Sequence, residues 1–259
     1  MKLLLGLELL AVRVELIVVF VEQVDIAPTV AEVLGFHFKC QGKPIARIVE
    51  AADGCEHVAL LIVDSLGYRE YTANVGMLSF TSRLASRGIV FKCLSYSHYT
   101  TPSIATILCG LKPEVHGVFR TEQAYTRTFK CMPEAASEAG LRVAVVMEEY
   151  GATSFQGLVD CVKPIVDRPD VMEFDLEVCR EALEVVERLK PNLLVAHLRT
   201  LDKLGFNRIS VTHVDDIIKR LAVNCPPNTL VVVCGDHPPH QARDEVYVAL
   251  IASRASSIM

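Results

Sequence analysis

Six residues, 58–63, run without a polar break and end on an acid, Asp64. Residues 192–197 and 229–233 repeat the design, short and rich in Val and Leu. Such strands do not alternate, so they fit a sheet covered on both faces rather than one with a wet face. A chain of 259 residues that is 51% hydrophobic can bury such a sheet between helices. The pattern predicts an α/β fold with a mostly parallel central β-sheet sandwiched by helices.

Further strands are expected over residues 13–21, 89–96, 141–147 and 246–251. Helices are expected over 25–35, 73–87, 133–140, 174–189 and 211–222, several with Asp or Pro near the start and Gly at the end. Residues 118–131 are polar and irregular and should cover the site, and 151–169 reads as loop with short elements. No repeat or low-complexity linker divides the chain, so one domain over residues 1–259 is expected. Residues 1–22 look at first like a leader or membrane helix. Glu8, Arg13 and Glu15 interrupt them short of the ~20 apolar residues a span needs. The reading is a fold segment in a cytoplasmic protein, with no membrane partner. A net charge of −5 and no basic patch argue against nucleic-acid binding. None of the nine cysteines is in a C-x-x-C pair; most read as small core residues, with room for one or two disulfides.

Chemistry concentrates at the strand ends. Ligands of parallel α/β sheets gather there, and Asp64 is placed to bind metal, although a loop acid after a strand is common. Residues 229–233 lead into Cys234-Gly235-Asp236-His237-Pro238-Pro239-His240. An Asp-His pair with another His three residues on supplies oxygen and nitrogen donors suited to Zn2+ or Mn2+. The segment from Tyr99 to Gly117 opens with Thr100, Thr101, Pro102 and Ser103 before an apolar run closed by Gly110. Pro and Ser there mark a helix start, where backbone N–H groups and the helix dipole favour an anion. A hydroxyl at that point can be a nucleophile or simply a cap.

These segments together resemble the alkaline phosphatase superfamily, which includes phosphodiesterase/nucleotide pyrophosphatases, phosphonoacetate hydrolases and sulfatases. Cys109-Gly110-Leu111-Lys112-Pro113-Glu114-Val115-His116-Gly117 is similar to its "TG-x-x-P-x-x-HG" segment, with Cys109 where Thr is usual, and puts the nucleophile at Thr100. Asp64-Ser65-Leu66-Gly67 resembles "D-G-L-G", with Ser65 for Gly. Asp202-Lys203-Leu204-Gly205-Phe206 resembles "D-x-x-G-H", with Phe206 at the His. Asp236-His237 resembles "S-D-H-G", and His240 stands for the later His. The resemblance implies one metal on Asp64, Thr100, Asp236 and His237. It implies a second on Asp202 and His240, with a further His that His197 or His213 would have to replace. The cofactors would be one or two divalent metal ions per chain, Zn2+ ahead of Mn2+. Ser103 would steady a substrate oxygen, and Lys112, Arg120 and Arg127 are candidate anion contacts.

Asp25-Ile26-Ala27-Pro28-Thr29 through Gly35 resembles a segment that lies near the family's C-terminus. Here it comes first, which implies a circular permutation with residues 1–50 as the family's usual C-terminal part. The implied activity is metal-dependent hydrolysis of a small-molecule phosphate ester, of the phosphodiesterase type, through Thr100. The alternatives are a sulfatase-like sulfuric ester hydrolase, favoured by Thr101-Pro102-Ser103, and a degenerate member that binds metal or ligand without turnover.

Overall fold

The computed structural model describes residues 20–257. Its strands, in chain order, are β1 (Val21–Glu22), β2 (His57–Val63), β3 (Ile89–Leu94), β4 (Val143–Glu148), β5 (Cys161–Ile165), β6 (Leu193–Leu198), β7 (Thr229–Gly235) and β8 (Tyr247–Arg254). The helices of the first half are α1 (Ile26–Leu34), α2 (Ala46–Ala51), α3 (Tyr68–Ala73), α4 (Ser79–Arg87), α5 (Thr100–Cys109), α6 (Pro113–His116), α7 (Thr121–Ala124) and α8 (Met132–Glu138). Those of the second half are α9 (Glu149–Thr153), α10 (Val171–Leu189), α11 (Thr200–Leu204) and α12 (Arg208–Asn224).

The eight strands form one sheet in the order β1-β3-β8-β7-β2-β6-β4-β5. β8 runs antiparallel to both β3 and β7, and the other pairings are parallel. β2 shows why its sequence has no polar break. Ala59, Leu61 and Val63 point into a core shared with α4, α10 and α12. Val58, Leu60 and Ile62 point into a second core with α1, α2, α5 and α8. Both faces of the strand are dry, as the apolar run requires.

The structure departs from the sequence reading in several places. Most of the strand expected over 13–21 lies outside the described residues, which pick it up only at β1. The helix expected over 73–87 is two, broken at residues 74–78. The second begins at Ser79, because Asp215 of α12 accepts hydrogen bonds from the Phe80 and Thr81 amides, both at 2.8 Å, and so caps α4 from across the fold. Residues 151–169 contain an edge strand, β5. Its Pro164 hid it, since a proline cannot donate to a ladder and is tolerated only at an edge. All nine cysteines are free.

Candidate active site

Three adjacent parallel strands bring the acidic residues together. β2 is flanked by β6 and β7, with Val63 opposite both Leu198 and Gly235. The residues just past their carboxyl ends therefore converge. Asp64 follows β2, Asp236 and His237 follow β7, and α11, carrying Asp202, follows β6. Thr100 arrives from the other side, on the first turn of α5. Pro102 supplies no N–H to that turn, and the amides of Thr100 and Thr101 have no intrahelical acceptor.

His237 is the hub. It is fully buried, and its Nδ1 lies 2.8 Å from the carbonyl of Pro238, so Nδ1 carries the proton and Nε2 faces the site. That Nε2 lies 3.1 Å from Asp64 Oδ1, 3.6 Å from Asp236 Oδ2 and 3.2 Å from Thr100 Oγ1. The Thr100 hydroxyl is also 3.5 Å from Asp64 Oδ2. Asp64 Oδ1 and Asp236 Oδ2 are buried without a hydrogen-bond donor. Burial and the neighbouring Asp64 charge push the Asp236 carboxyl well up. Burial works against the charged form of His237, but the Asp236 and Asp64 carboxylates outweigh it and hold the imidazole up at about 9. A buried, donor-free oxygen on each of two neighbouring carboxylates, Asp64 Oδ1 and Asp236 Oδ2, favours a cation between them. A proton on His237 meets that demand in part, and the oxygen and imidazole donors fit a divalent metal.

A second group gathers beside the first. Asp202, His237 and His240 each offer an atom within 4.8 Å of the others, with His240 Nε2 3.3 Å from Asp202 Oδ1. Lys203 already places its ammonium 3.0 Å from Asp202 Oδ2. Burial raises the Asp202 carboxyl, yet the bonds from Lys203 and Ser65 bring it below its ordinary value. Phe206 packs on the core. His197 lies beside the first group, 3.8 Å from Asp64 Oδ2, where burial pushes it down to about 4. Neither it nor His213 completes the second group.

Several supporting residues carried no signal in the sequence. Ser65 has φ 63°, the left-handed region where a side chain is costly. Its amide donates to Asp236 Oδ1 at 3.0 Å and its hydroxyl to Asp202 Oδ1 at 2.8 Å. The residue that departs from the family's Gly thus ties both groups together. At Gly235 a Cβ would meet the Leu66 carbonyl at 2.2 Å, so the Ser of the family pattern does not fit here. Gln23, 212 residues away in sequence, donates its side-chain amide to the Gly235 and Asp236 carbonyls. Asp175 of α10 accepts from the Arg199 and Thr200 amides at 2.7 and 3.0 Å and fixes the turn into α11.

Not every expected residue reaches the site. Ser103 is fully buried, its Oγ has no partner, and it lines neither cavity beside Thr100. One turn of helix points it into the protein, not at a substrate. Lys112 stacks over Tyr96 at 5.2 Å, and Arg127 is paired with Glu134. The cations that do line the cleft with Asp64, Thr100 and His197 are Arg199 and Lys203; the cleft measures about 470 Å3. His116 is structural. Its Nδ1 accepts from the Val118 amide at 3.0 Å, and Nε2 lies 3.1 Å from Thr106 Oγ1.

A family model, that of the sulfatases, matches residues 56–199, more than half of the chain and the whole span from β2 through β6. The chain belongs to the sulfatase family. That places it in the alkaline phosphatase superfamily, and the solved structures it resembles agree on the fold. A phosphonoacetate hydrolase from Sinorhizobium meliloti in complex with phosphonoformate superposes with TM-score 0.58 at 15% identity, over 71% of this chain and 57% of that one. A 2-O GAG sulfatase gives TM-score 0.61 at 15% identity, over 77% of this chain and 64% of that one. The periplasmic domain of EcEptC from Escherichia coli, in complex with Zn, gives 0.53 at 12% identity, over 80% and 75%. This sulfatase-family chain therefore spans less than two thirds of the first two relatives. No curated protein sequence matches it. Among the described residues, no helix is long and apolar enough to cross a membrane.

Proposed function

We propose that this chain hydrolyses a phosphoric ester of the diester type, with Thr100 as nucleophile and a divalent metal, Zn2+ ahead of Mn2+, held by Asp64, Asp236, His237 and the Thr100 oxygen. One observation carries the reading: two buried carboxylate oxygens without a donor, Asp64 Oδ1 and Asp236 Oδ2, flank an imidazole nitrogen 3.2 Å from the Thr100 hydroxyl. A metal there supplies positive charge that favours the ionised hydroxyl near neutral pH. Thr100 Oγ1 attacks phosphorus, an Oγ1–P bond forms, and the P–O bond to the leaving alcohol breaks with its electron pair. Water then cleaves the phosphothreonine and returns Thr100. The first-turn amides of α5 face the anion; Arg199, paired with Asp167 at 3.1 Å, and Lys203, paired with Asp202 at 3.0 Å, line the same cleft. Lys203 occupies the Asp202 carboxylate where a second metal would bind, so one metal per chain is the reading.

Sulfuric ester hydrolysis is the second reading, supported by the family itself and by the lysine at Asp202. Bis-p-nitrophenyl phosphate and p-nitrophenyl sulfate, assayed in parallel with Zn2+ or Mn2+, separate the two. The proposal expects diester turnover that Thr100→Ala abolishes. Turnover of the sulfate alone would replace it with the second reading, and turnover of neither sinks the hydrolase.

A further inference from the structure

Thr100 and Thr101 stand on the wall between two cavities of opposite character. On one side is the polar cleft. On the other is a partly open, mainly apolar cavity of about 70 Å3 beside α5, with Thr100, Thr101 and Thr121 in its wall. Its lining comes from Ile104, Leu108, Val118, Phe129, Met147 and Phe155, drawn from α5, the segments on either side of α7, β4 and the turn after α9. The two charged residues in its wall are already engaged. Glu148 accepts from the Tyr150 and Gly151 amides at 2.8 and 2.7 Å. Arg127 is paired with Glu134, donates to the Ala124 and Ser154 carbonyls, and stacks over Phe155 at 5.0 Å. Within the lining, Thr101 Oγ1 meets Thr121 Oγ1 at 3.2 Å and ties α5 to α7. A mainly apolar lining of this kind favours apolar atoms over water.

We infer that this cavity is a substrate subsite for a short, uncharged aliphatic group carried on the ester attacked by Thr100. The inference rests on the hydrolase reading and narrows it. A volume of about 70 Å3 is roughly half that of the ~150 Å3 apolar cavity that holds one benzene ring, so it takes about three or four non-hydrogen atoms. The substrate is therefore bipartite, with an anionic head at Thr100, in the cleft that Arg199 and Lys203 line, and a butyl-sized tail beside α5.

The experiment is a series of p-nitrophenyl alkyl phosphodiesters, from methyl to octyl, on the metal-loaded full chain. Each added methylene should raise kcat/KM about fourfold as far as propyl or butyl, with no further gain by octyl. Ala105→Leu on α5 and Ala124→Leu on α7 narrow the cavity from two independent elements. Each should lower kcat/KM for the butyl ester at least tenfold and change the methyl ester less than about threefold. A flat series, a rise that continues to octyl, or a butyl preference that survives both variants overturns the subsite and leaves the hydrolase standing. If no diester turns over, calorimetry with butylphosphonate and methylphosphonate decides. Tighter binding of butylphosphonate, lost in Ala105→Leu, keeps the subsite while the hydrolase falls, and equal or undetectable binding overturns it.

Discussion

Asp236→Asn should be almost silent in the metal-free protein and should erase its response to metal. Asn keeps the Oδ1 acceptor that holds the Ser65 and His237 amides at 3.0 and 2.7 Å, so the turn stays folded. What changes is the charge at Oδ2. With His237 protonated, the attraction across 3.6 Å is about 4–5 kcal/mol at an effective dielectric near 20. The repulsion from the Asp64 carboxylate, within 4.8 Å, is about 3–4 kcal/mol on the same basis. The two nearly cancel, and the net cost is about 1 kcal/mol. Metal is different. At a hundred times its Kd it stabilises the wild type by about 2.7 kcal/mol, a Tm rise of roughly 5–10 °C at this chain length. If Asn weakens binding a hundredfold, the same metal concentration contributes about 0.4 kcal/mol, a rise of about 1 °C. The assay is thermal unfolding at pH 8, after chelation and then with Zn2+ added back. A full metal shift in the variant, or a metal-free loss above about 3 kcal/mol, refutes the assignment of Asp236 as a metal ligand.

Metal analysis of the loaded wild type should give one ion per chain; Lys203→Met, which frees the Asp202 carboxylate, should raise the count toward two, and two ions in the wild type would show that Lys203 does not replace the second metal. Burial pushes His116 down to about 4 while an unfolded histidine titrates near 6.5. Between those values the unfolded chain binds the extra proton, so stability falls as pH drops through the window. His116→Gln removes that proton and should make the loss between pH 6.5 and 4 smaller by about 1–2 kcal/mol, discounted for partial wetting of the ring, as read by urea unfolding at several pH values. Asp215 accepts four hydrogen bonds, from Ser79, Phe80 and both donors of Thr81. Asp215→Ala should cost about 3–4 kcal/mol by leaving buried amides unpaired, and Asp215→Asn clearly less; equal losses by urea melt would mean that packing, not capping, is what Asp215 supplies.

The sequence by itself determined the sheet and its functional edge. Unbroken runs such as Leu60-Leu61-Ile62-Val63 tolerate water on neither face, which requires a layered α/β arrangement. Asp64, Thr100 and the Asp236-His237 pair were legible because each sits beside a strand end or helix start that local pattern reveals. Tertiary structure decided the rest, because it depends on which strands become neighbours. Placing β2 between β6 and β7 is what brings Asp64, Asp202 and Asp236 to one point, and no local pattern states that order. Ser103 lay one helical turn from Thr100, and only the packing of α5 showed that it faces inward. Gln23 and Asp175 have no motif, since their roles exist only where distant carbonyls and amides arrive beside them. The apolar cavity under α5 is assembled from side chains 51 residues apart in the chain, from Ile104 to Phe155, and its shape is a property of packing alone.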